Sequence, residues 1–307
     1  MQEYKLIDAK LTSSNIILGY LSAIVAAILF GGVSTLAKPI LSTIDPIVLS
    51  SIIYLIAGLF FTPAASRARS KITMKYYGLI LISAVAGATI APIIFFVGLK
   101  LGTAADTALL ANGETVFSIL FALVIFKERL RPIGYIAVIL ILSGVFLVTT
   151  NLDFNSSVFK FNIANVFIIA ATVIWGFDNN ICKIIVRQID VSKLIQLKAL
   201  IGGSILLGMV VILGIPFNIQ IEQLLPVILL GVFGFAISLY LYLHSIKIIG
   251  VVKASSLLSL SAVFGLVFAI IFLHELISVN QIVAISIMIF GIHLMYSRER
   301  KDEILLK

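Results

Sequence analysis

Two carboxylates stand in the middle of otherwise apolar stretches. Glu114 is one; with Thr107, Ala111 and Ser118 it forms a stripe at i, i+4, i+7 and i+11. That spacing places all four on one helical face. The face is small and polar, so the sequence predicts that it points inward. A carboxyl group held there can take up a proton and release it, which is coupling chemistry. The alternative role is structural, a hydrogen bond to a neighbouring helix. Asp178 is the other carboxylate, in the run Trp175-Gly176-Phe177-Asp178-Asn179-Asn180. Thr172, Gly176, Asn179 and Lys183 share one stripe, with Trp175, Asp178 and Cys182 beside it. Either stripe is suited to lining a cavity, and Trp175 to closing it or stacking on a solute. The competing role for Asp178 is to neutralise Lys183 or Arg187. Tyr240, Tyr242 and His244 lie further on, with Tyr240 and His244 four apart on one face. Phenol and imidazole are good orienting groups in an apolar pocket, although an interfacial aromatic belt would use the same residues. The residues assigned to solute binding or coupling are Glu114, Asp178, Asn179, Trp175, Tyr240, His244 and Asn112. Tyr54 and Ser50 are weaker candidates.

These side chains need elements to hold them. The chain has 307 residues, 61% hydrophobic and only 12% charged. A soluble domain carries roughly a quarter charged residues, so the solvent for most of this surface is lipid. The net charge of +8 does not point to nucleic acid. Its basic residues sit at the ends of apolar runs, where orientation signals of membrane helices lie. A helix needs roughly 20 apolar residues to cross the hydrocarbon. Ten stretches qualify, near 17–37, 46–65, 76–99, 103–126, 132–150, 161–184, 194–214, 224–246, 251–273 and 277–296. Pro92 inside the third predicts a kink. With the N-terminus placed in the cytoplasm, only Lys38, Lys100 and Lys160 of the 22 Lys and Arg fall outside. That asymmetry favours ten spans and two cytoplasmic termini.

The chain also repeats itself. Ile28-Leu29-Phe30-Gly31 matches Val173-Ile174-Trp175-Gly176 at an offset of 145, as do Lys38 and Lys183, and Asp45 and Asp190. At an offset of 147, Gly87 matches Gly234, Lys100 matches Lys247, Val116-Phe117 matches Val263-Phe264, and Glu128 matches Glu275. Helices one to five therefore correspond to helices six to ten. Because five is odd, the second copy enters the membrane from the opposite side. The fold class is an all-α integral membrane protein of two inverted five-helix repeats. The sequence divides into an N-terminal tail 1–15, a first repeat 16–150, an external linker 151–160, a second repeat 161–297 and a C-terminal tail 298–307. Inverted repeats recur in carriers, with the solute site near the midplane between them.

The run Phe126-Lys127-Glu128-Arg129-Leu130 after helix four and His274-Glu275-Leu276 after helix nine add a family likeness. The chain resembles the drug/metabolite transporter superfamily, in its branch of two EamA-type domains. The likeness covers essentially the whole chain. It departs from the usual pattern at His274, where the family more often has Gly. The resemblance implies a plasma-membrane carrier of a small organic metabolite, often an amino acid or related solute, with a proton gradient as one candidate driving force. Lys38, Lys183, Lys100 and Lys247 read as snorkelling anchors. Glu128 and Glu275 read as structural caps on helix starts. Asp106, near the outer end of helix four, reads as first-turn acidic decoration, with a residue at the cavity mouth as the alternative.

Other classes leave weaker marks. No H-E-x-x-H or G-x-S-x-G motif is present, and the three His are dispersed. The chain reads as no enzyme, with no cofactor and no metal. A channel would carry filter loops or charged rings, and a sensor a soluble domain. The expected partners are a small-molecule substrate and the lipid bilayer. The oligomeric state stays open between monomer and homodimer, since Gly202, Gly203 and Gly208 suit packing within or between chains.

Overall fold

The computed structural model describes residues 13–68, 70, 72–125, 132–150 and 162–305. Among them every regular element is helical. In chain order we number α1 Ser13–Ile40, α2 Pro46–Arg67, α3 Met74–Leu101, α4 Ala104–Ile125 and α5 Pro132–Thr150. Next come α6 Ile163–Ile185, α7 Val191–Ile212, α8 Ile221–Ile249, α9 from Val251 to Leu273 and α10 Val279–Leu305. Eight of these, α1 to α4 and α6 to α9, are long and apolar enough to cross a membrane. The apolar parts of α5 and α10, Pro132–Gly144 and Val279–Gly291, are shorter. The stretch expected as a C-terminal tail begins as a continuation of α10 to Leu305. The expected linker 151–160 and the Phe126–Leu130 motif lie outside the described residues.

Local chemistry sets several boundaries, and it repeats. Asp45 caps α2 by accepting from the Ile47 amide at 2.8 Å, and its repeat equivalent Asp190 caps α7 by accepting from Ser192 at 2.9 Å. Pro92 falls just after a π-helical turn, Ala86–Ile90, which absorbs the irregularity expected at that proline. A second π-helical segment, Leu230–Ile237, occupies the corresponding part of α8 with no proline inside it. Both segments contain one of the paired glycines, Gly87 and Gly234. Helices α4 and α9 are each interrupted by a two-residue turn, at Ala111-Asn112 and Ser259-Leu260.

The largest packing interfaces all join one half of the chain to the other. Helix α2 packs on α7, α5 on α10, α1 on α8 and α9, and α6 on α3 and α4. A shift of five helices maps this set of contacts onto itself. The match extends to atoms. A Cβ on Gly31 would lie 2.9 Å from Phe264 Cβ and 3.0 Å from the Gly265 amide nitrogen. On its equivalent Gly176, a Cβ would lie 2.7 Å from Phe117 Cβ and 2.8 Å from the Ser118 amide nitrogen. Helix backbones touch at both points, so glycine is required by close approach. Gly31→Ala and Gly176→Ala should each cost about 1–3 kcal/mol through overpacking. Thermal unfolding in detergent reads this, and an unchanged midpoint in both variants would refute the contact.

Several polar residues reach across the halves. The Glu275 carboxylate accepts from the Ala104 and Ala105 amides at 2.9 and 2.8 Å. It therefore caps α4, and not the helix that comes after it in sequence as expected. Lys38 does not simply snorkel. Its ammonium donates to the Leu99 and Lys100 carbonyls at 2.9 and 3.1 Å, and to Gly102, closing the end of α3. Asp106 is buried and accepts from Gln281 at 2.7 Å, which is a link to α10 and more than decoration. Gly202 and Gly203 pack against Ala88 and Leu55 of the same chain.

Candidate functional site

At the centre of the bundle lies a small cavity. Helices α1, α2, α3, α4, α6, α7, α8 and α9 all contribute to its wall. Its charged lining residues are Glu114, Asp178 and Lys198. The apolar part of the wall is aromatic, with Phe30, Tyr54, Trp175, Phe235 and Tyr242.

Asp178 and Lys198 form an ion pair, each only 2% exposed. The Ser83 hydroxyl donates to the other Asp178 oxygen at 2.5 Å, and the Cys182 thiol lies 3.6 Å from the same atom. Two charges taken from water into such a place need each other and further hydrogen bonds. The pair joins α6 to α7, and Ser83 brings in α3. Gly87 makes room for it: a Cβ there would collide with the Asp178 carboxylate and come within 2.9 Å of Lys198 Nζ.

Glu114 is 6% exposed and has a different setting. Asn179 Nδ2 donates to its Oε1 at 2.7 Å and to the Ser118 hydroxyl at 3.1 Å. This ties α4 to α6 without supplying a counter-charge. Asn180 supports the same junction by donating to the Ser118 and Gly176 carbonyls, both at 2.8 Å. Above the pair, Trp175 Nε1 and the Tyr54 hydroxyl both donate to the Gly87 carbonyl at 3.0 Å. That carbonyl lies in the π-helical turn, where regular intrahelical bonding is displaced.

The aromatic wall also obeys the repeat. Phe30 and Trp175 are equivalent positions, and their rings meet edge to face at 6.1 Å. Phe95 tilts against Trp175 at 5.0 Å. A second, smaller cavity lies beyond these rings, lined by Phe30 and Phe95 together with Ser34, Thr107, Ala111 and Ser261. Phe30 borders both spaces.

The structure thus brings four of the assigned residues, Glu114, Trp175, Asp178 and Asn179, to one cavity. The other three lie elsewhere. Tyr240 stacks between Phe61 at 5.2 Å and His244 at 5.8 Å, away from the cavity wall. Asn112 sits in the turn that interrupts α4, its Nδ2 3.6 Å from Met288 Sδ. Asp178 is paired with neither of the bases expected for it. Its partner Lys198 reads in the sequence as one of the cytoplasmic-side bases, although it falls within the seventh apolar stretch. An ionisable residue inside a span is itself a signal. Phe30, Gly87 and Gly234 were visible as repeat equivalents, without a role.

Comparison with known proteins now bears on this cavity. The sequence pattern of the EamA-like transporter family matches residues 17–150 and again 162–297. The chain belongs to the EamA-like transporter family. An "uncharacterized transporter" of Methanothermobacter thermautotrophicus is 31% identical over 294 residues, covering 91% of this chain and 86% of that protein. An "uncharacterized transporter" of Clostridium kluyveri is 24% identical over 299 residues, covering 94% and 96%. A solved crystal structure superposes with a TM-score of 0.70 over 95% of this chain and all of the other, at 18% identity, which speaks to the fold. This EamA-like chain is therefore a multi-pass membrane protein of a transporter family.

Proposed function

We propose that this EamA-like protein is a secondary carrier that moves a small organic metabolite, an amino acid or related solute, across the plasma membrane by alternating access. The central cavity is its solute site and Glu114 its proton-coupling group. Ten crossings as two inverted five-helix repeats, with both termini cytoplasmic, complete the reading; the basic-residue asymmetry supports that orientation.

The observation that carries this reading is the cavity itself. It lies between the two halves, and facing it is a buried carboxylate with no ion-pair partner among the described residues. Such a group in a span ordinarily belongs to a solute or proton path. The interfaces around it are related by the repeat, so exchanging the conformations of the two halves would give a second arrangement with equivalent contacts. Alternating access needs such a near-balance. Purified protein in proteoliposomes should take up a labelled solute from a panel of amino acids, amines, sugars and nucleosides. Uptake should saturate with concentration, as binding to a single cavity requires. Flux that rises linearly without saturation would favour a channel instead.

A further inference from the structure

The donors and acceptors of the cavity are unevenly engaged. Trp175 and Tyr54 both give their hydrogens to the Gly87 carbonyl. Both Asn179 amide hydrogens go to Glu114 and Ser118. The Lys198 ammonium is held by Asp178 and lies 3.7 Å from Cys182 Sγ. The Tyr242 hydroxyl is paired with Ser255 at 2.7 Å. Apart from the Ser238 hydroxyl, which also lines the cavity, a solute carboxylate or phosphate would have to take donors away from these bonds, and buried groups left unpaired are costly.

The acceptor side differs. Asp178 is saturated by Lys198 and Ser83. Glu114 has one oxygen on Asn179, and no hydrogen bond among the described residues occupies the other. The three charged lining groups sum to one uncompensated negative charge. Around them stand the aromatic rings of Phe30, Trp175 and Tyr242. A desolvated carboxylate beside aromatic faces attracts a cation, through charge and through the ring quadrupoles. Lys198 cannot serve, since its charge already pairs with Asp178.

We infer that the cavity selects solutes bearing a protonated or quaternary nitrogen, monocationic organic amines, with the nitrogen on Glu114 and the apolar part against the aromatic wall. This rests on the cavity being the solute site, and among the small organic metabolites proposed above it favours amines without a free carboxylate over amino acids.

Trp175 is the only tryptophan of the chain, so its emission reports on the cavity alone. The test titrates the purified protein with 2-phenylethylamine, phenylalanine and 3-phenylpropionate. These share a ring and differ in charge. The amine should change Trp175 emission saturably and bind at least about tenfold more tightly than either other compound, roughly 1.4 kcal/mol. Glu114→Gln should weaken the amine by a similar factor. Equal or tighter binding of phenylalanine or phenylpropionate overturns the inference, as does no saturable response to the amine. An unchanged amine affinity in Glu114→Gln overturns it too. The wild-type ranking decides the matter even where that variant does not fold. Saturable uptake of phenylalanine by proteoliposomes, without amine selectivity, would sink the amine preference and leave the carrier reading standing.

Discussion

Asp178→Ala, with Lys198 left in place, is expected to destabilise the protein by about 3–5 kcal/mol, because it strands a buried charge. The ammonium of Lys198 is 2% exposed and has no other carboxylate as an ion-pair partner among the described residues. Lys198→Ala should cost a similar amount for the mirror reason, leaving Asp178 with Ser83 and Cys182 only. The double variant Asp178→Asn/Lys198→Met should recover most of the loss, since a buried ion pair adds little over a well-packed neutral pair. Thermal unfolding of the four proteins in one detergent reads the series. Singles and double melting with the wild type would mean that the pair is not buried as described.

Glu114→Gln should remove gradient-driven accumulation while leaving exchange. A gradient of about one pH unit is worth about 1.4 kcal/mol per proton, enough to concentrate a solute roughly tenfold. If Glu114 carries the coupled proton, the variant should equilibrate its solute instead of concentrating it. Exchange down a solute gradient should persist with a raised KM, because the amide keeps the shape and the bond to Asn179 but not the charge. The assay is uptake into proteoliposomes with and without an imposed pH difference. Accumulation in the variant equal to wild type would move coupling to another group.

Much of this site was legible in the sequence because helical periodicity sorts faces well. Glu114 with Thr107, Ala111 and Ser118 forms one stripe, and all four are buried or nearly so. The Trp175–Asn180 run was equally plain. Lys198 was harder: twenty residues separate it from Asp178, and only tertiary packing of α6 on α7 shows that they meet. In α8 the sequence offers Tyr240, Tyr242 and His244, and the fold divides them. Ser238 and Tyr242 line the cavity, while Tyr240 and His244 stack beside it. The π-helical segment Leu230–Ile237 lies just before them. Each extra residue in such a turn rotates the remainder of the helix by about 100°, and no proline within the segment announced it. Glu275 was correctly read as a cap, but its target, α4, lies 170 residues away and only the fold brings it near.

The repeat was the most informative signal of all. Gly31 and Gly176 make equivalent contacts, and the paired rings of Phe30 and Trp175 meet each other. The same pairing marks Gly87 and Gly234 as twin elements of the cavity wall.

Counterflow tests the carrier claim most directly. Proteoliposomes would be loaded with an unlabelled solute from the panel and diluted into a trace of the same solute, labelled. Alternating access predicts a transient accumulation of label above equilibrium for at least one solute, and its loss when the unlabelled internal solute is left out. Label that enters at a rate indifferent to the internal solute, or no entry for any solute in the panel, would contradict it.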